Sequence, residues 1–348
     1  MGINVLITGA AGYVGTMLIE RFAECGRIDA IHGVDLRDPP VRCADFEKVR
    51  WVQADVAEDE WVSRLDGTPV DVVIHCAYQI RELYGSKRQQ QEHWNIDGAR
   101  QVFDFALRHP SVRRIVHLST VSAYGARPEN SVDRLFTEQD PLGEDTYLYG
   151  VQKKRVETLL RDLFERSRSR AHVVVLRLAS VSGPRGRFGL NRYGLLSTVA
   201  GRFPFLICGR SDWGRQYLHE DDLIDVVTRF VHLPPATGYE VFNVSPPDFL
   251  DAPAIGRLFD KRVVPVPPLL LRALFALLWH GTRGALTTPA GAWKFLSYPI
   301  RVDGSLLERT HGYAFRYSSR QALMALEGRH ARPPQTSMQP ILDDAPAA

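Results

Sequence analysis

Short apolar runs, rich in β-branched residues, alternate with longer stretches of helical period through the first half of the chain. Asn4–Thr8 (NVLIT), Ala30–Asp35 (AIHGVD), Val49–Gln53, Val70–His75 (VDVVIH), Arg114–Ser119 (RIVHLS) and His172–Leu178 (HVVVLRL) read as six strands. Val14–Cys25 places Val14, Met17, Leu18 and Phe22 on one helical face, and Trp94–Arg108 and Tyr149–Arg166 also read as helices. Strands apolar on both faces predict a sheet covered on both sides, hence a parallel one. The strand–helix alternation predicts an α/β, doubly wound domain over residues 1–183. Beyond Gly183 the alternation gives way to Gly, Pro and Arg. Residues 184–327 are expected to form a smaller mixed α/β domain over the carboxyl edge of the sheet, with room for segments of it to return to the sheet. Residues 328–348, rich in Pro, Ala and Gln, are expected to be a disordered tail.

The chain has 348 residues, 45% of them hydrophobic, long enough to bury a core without staples. Its 43 basic and 40 acidic side chains leave a formal net charge of +3, with no basic stripe, which argues against a nucleic-acid partner. Cys25, Cys43, Cys76 and Cys208 form no C-x-x-C pair and no zinc-ligand spacing, so no metal is expected. Scattered free thiols suit the cytoplasm. The apolar run Ile3–Ile7 leads straight into glycines and does not read as a signal peptide. The longest apolar stretch, Val263–Trp279, is interrupted by Pro265, Pro267, Pro268 and Arg272 and is too short to span a bilayer. For residues 265–280 within it, a buried helix of the smaller domain is the first expectation, and an apolar pocket wall or a membrane-surface helix the sharper alternative.

The first strand runs into Thr8-Gly9-Ala10-Ala11-Gly12-Tyr13-Val14-Gly15 and then a helix. Glycines at 9, 12 and 15 would make the tight turn, admit a pyrophosphate close to the backbone and let helix and strand pack. The helix start at Tyr13, Val14 and Gly15 would offer N–H groups to the anion. Asp35 ends the second strand 20 residues after Gly15, where an acid binds the adenosine ribose and repels a 2′-phosphate. NAD is therefore expected over NADP, with Arg37 as a partial rescue for NADP. Asp55 and Val56 follow the third strand and are candidates to flank the adenine.

Tyr149-Gly150-Val151-Gln152-Lys153 opens the long helix, and residues i and i+4 share a face. An ammonium beside the phenol would lower its pKa and make Tyr149 a usable acid or base. The fifth strand ends in Leu118-Ser119-Thr120-Val121-Ser122-Ala123-Tyr124-Gly125. Hydroxyls there point into the crevice where a doubly wound sheet binds its ligand. Thr120 and Ser122 are candidates for the substrate and Ser119 for the cofactor.

With these parts in this order, the chain resembles the extended short-chain dehydrogenases/reductases, the NAD-dependent epimerase/dehydratase family. The resemblance covers roughly residues 3–325 and rests on TGAAGYVG at 8–15, GVDLRD at 33–38, VIHCAY at 73–78, NIDGA at 95–99, HLSTVSAYG at 117–125, YGVQK at 149–153, LRLASVSGPRG at 176–186, RQYLHEDDL at 215–223 and FNVS at 242–245. It implies a Rossmann-type doubly wound parallel sheet with a C-terminal substrate-binding domain. It also implies Ala77 along the cofactor, Asn95 positioning the central strands and a bound water, and Thr120, Tyr149 and Lys153 as the catalytic set. A homodimer built on the Tyr/Lys helix is implied as well.

Departures narrow the chemistry. The Asp–Glu pair that would follow Thr120 in sugar-nucleotide dehydratases is Val121-Ser122 here, against dehydration. Ser180 stands where the epimerases carry an Asn that helps hold the substrate diphosphate, whereas Arg215 matches an Arg that contacts it. An ordinary surface pair of Arg215 with Asp221 or Asp222 is the plain alternative. Arg185, Arg187 and Arg192 are further cationic candidates. The expected function is that of an NAD-dependent oxidoreductase, foremost a sugar-nucleotide epimerase working by transient hydride transfer on a small-molecule substrate. Ser180 and the apolar 265–280 run favour the alternative, a 3β-hydroxysteroid-dehydrogenase-like enzyme acting on a non-nucleotide alcohol or ketone. A non-catalytic NAD(P)-binding regulator is disfavoured by the intact Thr120, Tyr149 and Lys153.

Overall fold

A computed structural model describes residues 2–186, 204–286 and 288–331. Its centre is a fully parallel seven-stranded sheet of β1 (Ile3–Thr8), β2 (Ile28–Asp35), β3 (Val49–Gln53), β4 (Val72–His75), β5 (Arg114–Thr120), β6 (His172–Leu178) and β7 (Gly238–Val244). The spatial order is β7-β6-β5-β4-β1-β2-β3. The six expected strands are all present. The fourth is shorter than expected: it begins at Val72, after a bend at Asp71 whose carboxylate accepts from Asn4 N. The seventh strand comes from beyond residue 183.

Period-2 alternation explains why the strands are apolar throughout. Val5, Ile7, Val174 and Leu176 face the layer of helices Tyr13–Ala23 and Glu220–His232, with Leu18, Phe22 and Phe230. Leu6, Val73, Val173 and Val175 face the opposite layer of helices Gly98–Arg108 and Leu148–Arg166, with Phe103, Val156 and Leu160. The expected helix Trp94–Arg108 is in fact composite. A π-helical segment, His93–Asp97, follows the helix Lys87–Glu92 and precedes the regular helix from Gly98.

A third apolar cluster, including Leu206, Trp213, Leu250, Phe275 and Leu296, lies outside the sheet layers. Three small ribbons accompany this part: Ser180–Ser182 with Tyr217–His219, Gly214–Arg215 with Leu250–Asp251, and Phe205–Cys208 with Arg262–Pro265. The long apolar stretch forms the helix Pro268–Gly281. It is not the buried helix first expected: Leu271, Phe275 and Trp279 are buried, but Leu269, Leu270, Leu274 and Leu277 are exposed. Of the expected tail, residues 328–331 are tied down. Arg329 N donates to Asp221, the Arg329 guanidinium reaches Glu24, and His330 meets Arg185. Residues 332–348 lie outside the described residues. All four cysteines are free, and Cys43 and Cys208 are buried as small apolar residues are.

A buried polar network fixes β5, β6 and β7 against the Tyr/Lys helix. The Arg177 guanidinium meets Glu157 (Nε–Oε1 3.1 Å) and the Tyr124 hydroxyl (2.8 Å). Tyr124 in turn bonds Asn243 on β7 (2.8 Å). Both charges of the pair are almost fully buried. Removing one partner strands the other, so Arg177→Met is expected to destabilise by about 3–5 kcal/mol. A urea-unfolding midpoint checks this, and an unchanged midpoint would refute the assignment.

Candidate active site

The chain leaves β1 toward β2 and β3, and later adds β4 on the other side of β1. The carboxyl ends of β1 and β4 thus flank a topological switch point, where doubly wound sheets bind ligands. Two loops meet there in contact. Gly9 has φ +68°, and a Cβ on it would stand 2.5 Å from Ala77 N in the loop after β4. A Cβ on Gly15 would stand 2.3 Å from Gly9 O, so helix Tyr13–Ala23 begins against the turn itself. Gly12 caps that helix without a side-chain bond, and its first turn holds no acid. The N–H groups of the first turn are left to an anion.

Asp35, buried at the end of β2, accepts from Ala11 N (2.9 Å), Arg37 N (3.0 Å) and Arg37 Nε (3.2 Å). It ties the glycine turn to the loop after β2, and the mostly exposed Arg37 folds back on it. Val14 is partly buried against the core. The Tyr13 ring turns away from the turn. Its hydroxyl donates to Glu220, and burial pushes its phenol far up. Only its backbone N–H serves the helix start. Asp55 and Val56, the candidates to flank the adenine, also have structural contacts. Asp55 accepts from Ala57 N and Trp94 Nε1 (2.9 Å each), and Val56 is buried against Gly98.

Asn95, 1% exposed in the π-helical segment, acts as a clamp. Its Oδ1 accepts from Gln79 N (2.8 Å), and its Nδ2 donates to Gln79 O (3.0 Å) and Gln152 Oε1 (2.8 Å). The loop after β4 is thus fastened to the Tyr/Lys helix. Both amide hydrogens are used in this clamp, and Oδ1 keeps one lone pair for a further donor such as the expected water.

Thr120, at the end of β5, accepts from Ser122 N (3.1 Å) and hydrogen-bonds the Tyr149 phenol. Ser119 points the other way: its hydroxyl donates to Glu157 Oε2 (2.9 Å), inside the network behind the strand. That use, set by strand alternation, corrects its assignment to the cofactor. Gly150 lets Tyr149 come close to the β5 loop, since a Cβ on it would lie 2.8 Å from Ser122 O. Lys153 is 5% exposed, donates to Leu118 O (2.6 Å) and sits 3.9 Å from the centroid of the Tyr78 ring. Tyr78 stands edge-on to Tyr149 at 5.6 Å. The expected lowering of the phenol by Lys153 is not found. Burial raises Tyr149 above its usual range, against the Thr120 hydrogen bond, and burial pushes Lys153 itself down to about 7.

Arg215 makes no pair with Asp221 or Asp222. Asp222 is taken by Tyr313, Arg316 and Tyr317 N, and Asp221 by Arg329 N. The Arg215 guanidinium donates to Phe295 O and lies over the rings of Phe295 (5.0 Å) and Trp213 (5.7 Å). Burial pushes it down to about 10, and among the described residues no carboxylate pairs with it. Tyr147 links the two halves, its ring 4.7 Å from Phe295 and 6.0 Å from Tyr149. Glu82, in the loop after β4, is buried with Oε2 unpartnered among the described residues, and burial lifts it to about 7. Ser180 is exposed on its ribbon. Arg185 is paired with Glu20. Arg187 and Arg192 lie outside the described residues. No group of three metal-ligating side chains occurs among the described residues.

Tyr78, Gly150 and Gln152 sit inside motifs quoted from the sequence but were not assigned there. Tyr147 and Glu82 carry no local signal; only tertiary placement reveals them.

Lys153 gives a pH signature. It is near 7 in the fold and 10.5 ordinarily, so between those values the unfolded chain binds more protons and stability rises with pH. Lys153→Met lacks that gain. The difference in unfolding free energy between parent and variant should therefore shift in favour of the parent from pH 7 to pH 10. Urea midpoints without added nucleotide read it, and a flat difference would refute the assignment.

Known proteins resemble this chain in sequence and in fold. An uncharacterized Mycobacterium tuberculosis protein is 29% identical over 321 residues, 91% of this chain and 81% of that one. An N-acetyl-alpha-D-glucosaminyl-diphospho-ditrans,octacis-undecaprenol 4-epimerase of Escherichia coli O157:H7 is 26% identical over 250 residues, 71% of this chain and 69% of that one. The structure of UDP-glucuronic acid 4-epimerase from Bacillus cereus, in complex with UDP-glucuronic acid and NAD, superposes with a TM-score of 0.69 at 20% identity, covering 93% of this chain and 97% of that one. No helix among the described residues is long and apolar enough to cross a membrane. The model of the NAD dependent epimerase/dehydratase family matches residues 5–245, and the chain belongs to that family.

Proposed function

We propose that the protein is an NAD-dependent sugar-nucleotide epimerase. Arg215 carries this reading: a partly buried cation, facing the Tyr149 side of the crevice through Tyr147, with no carboxylate partner among the described residues. A buried cation without a counter-ion is stabilised by an anionic ligand, and the planar guanidinium suits a diphosphate. The other end of the crevice fits NAD. The side-chain-free turn at Gly9, the uncapped start of helix Tyr13–Ala23 and the Asp35 carboxylate match pyrophosphate and ribose. Asp35 favours NAD over NADP, with Arg37 held on that carboxylate.

In this mechanism Tyr149 exchanges one proton with the substrate hydroxyl. Thr120 orients that oxygen and the phenol together. The glycine turn and Asp35 would hold NAD, which would supply a reversible hydride acceptor when bound. Tyr149 accepts the proton as the carbon becomes a carbonyl and returns it once the sugar presents its other face, with no net redox change. Burial opposes the phenolate, so Lys153 and Thr120 must offset that cost. Asn95 and Gln152 are positioning residues that hold the helix bearing Tyr149. The proposal includes a cytoplasmic homodimer through helices Gly98–Arg108 and Leu148–Arg166, which lie side by side. The aromatic walls of Trp213, Phe295 and Tyr147, with Ser180 in place of Asn, favour the second reading, a dehydrogenase of an apolar alcohol.

Tyr149→Phe is expected to lower turnover about 10²–10⁴-fold without shifting the thermal midpoint. Retained turnover would remove Tyr149 from the mechanism. Arg215→Met is expected to raise the KM for a sugar nucleotide about 10–100-fold with a smaller effect on kcat. With NAD present, one nucleoside diphosphate at about 100 times its Kd should stabilise the parent by about 2.7 kcal/mol. Stabilisation by an apolar alcohol and by no nucleotide would select the dehydrogenase.

A further inference from the structure

The outer face of the helix Pro268–Gly281 is apolar except for His280, near its end, whose ring lies 3.3 Å from the Tyr84 hydroxyl. At 3.6 residues per turn, Leu271, Phe275, Leu278 and Trp279 fall on one side, and Leu271, Phe275 and Trp279 are buried. Leu269, Leu270, Ala273, Leu274 and Leu277 fall together on the other. The leucines there are exposed by 73%, 59%, 37% and 71%. A surface helix ordinarily turns charged or polar residues to water on that side. Arg272 stands at the border of this apolar arc.

The charge around the helix is one-sided. From Lys261 to Val302 the sequence contains no Asp or Glu, while Lys261, Arg262, Arg272, Arg283, Lys294 and Arg301 are basic. Arg262, Arg272 and Arg283 are exposed. The neighbouring loop adds more: Arg81 donates to Gly284 O (3.4 Å) and Ala285 O (3.2 Å), and Tyr84 packs on Trp279 at 5.5 Å. Exposed leucines flanked by cations and an aromatic are the composition of a helix lying in the headgroup region of an anionic bilayer. At 14 residues the helix spans roughly 21 Å, suited to lying in that plane and too short to cross it.

We propose that this face docks the protein on an anionic lipid surface. The position gives docking a consequence. The loop that holds Arg81 and Tyr84 continues from Gln79, which Asn95 clamps. The helix Ala292–Ser297, which packs on Pro268–Gly281, supplies Phe295 to Arg215. Two packed helices therefore join the apolar face to Arg215, and docking sets the Arg215 side of the site toward the membrane. The proposal stands on the surface alone and is independent of the chemistry proposed for Tyr149.

The full chain is tested by co-sedimentation with vesicles of phosphatidylcholine, with and without phosphatidylglycerol. The parent should pellet with the anionic vesicles and much less with the neutral ones. Leu270→Ser with Leu277→Ser should lower the partition coefficient at least about tenfold, with thermal midpoint and soluble-substrate turnover unchanged. Arg272→Gln with Arg283→Gln should reduce the preference for anionic vesicles and weaken its salt dependence. Absence of vesicle binding by the parent overturns the proposal, as does equal binding by the leucine variant. So does a dimer in solution that the leucine variant dissociates, which would assign the face to a second copy.

Discussion

The site depends on how closely two loops approach at the carboxyl edge of the sheet. β1 and β4 are neighbours, and their ends are bonded across: Cys76 N donates to Thr8 O (3.1 Å), and Thr8 Oγ1 meets His75 Nδ1 (2.8 Å). The turn that follows β1 touches the backbone at Ala77, which only a residue without a side chain permits. From that contact the loop runs to Gln79, Gln79 to Asn95, and Asn95 to Gln152 on the helix that carries Tyr149 and Lys153. The glycine turn and the helix start that carries Tyr149 and Lys153 are therefore tied together, although they lie 140 positions apart in the chain.

Cations in the protein are treated in two ways. Arg177 and Arg185 are paired with Glu157 and Glu20. Lys153 and Arg215 are instead held by carbonyl oxygens and aromatic faces: Leu118 O and Tyr78 for the lysine, Phe295 O with Phe295 and Trp213 for the arginine. Both are pushed below their ordinary values by burial. Carbonyls and rings solvate a cation without neutralising it, so the positive potential stays in the crevice. A carboxylate at either position would cancel that potential before an anionic ligand arrived.

The later part of the chain is woven into the earlier part. β7 extends the sheet beyond β6, and helix Glu220–His232 shares a layer with the helix of the phosphate turn. Phe295 and Tyr147, from distant segments, complete one aromatic wall. Residues outside the sheet thereby shape the Arg215 end of the crevice, while its other end is built from β1, β2 and β4.

The sequence by itself determined the six expected strands, the parallel sheet and the glycine turn, because apolar period and glycine spacing are local properties of the chain. It also located Asp35, Thr120, Tyr149 and Lys153, each tied to a strand end or helix start. Tertiary structure decided what each polar group faces. Ser119 and Thr120 are adjacent, yet alternation sends one hydroxyl to Glu157 and the other to Tyr149. Asn95 became a clamp because Gln79 and Gln152 converge on its amide, and Asp55 was taken by Trp94. Lys153 donates to Leu118 O, a partner no i, i+4 spacing contains. The apolar run at 265–280 announced a helix, but which of its leucines meet water depended on what packs beneath it. Local pattern fixes where an element lies and which way it repeats; contacts between distant segments fix the partners of its polar atoms, and those partners set the chemistry.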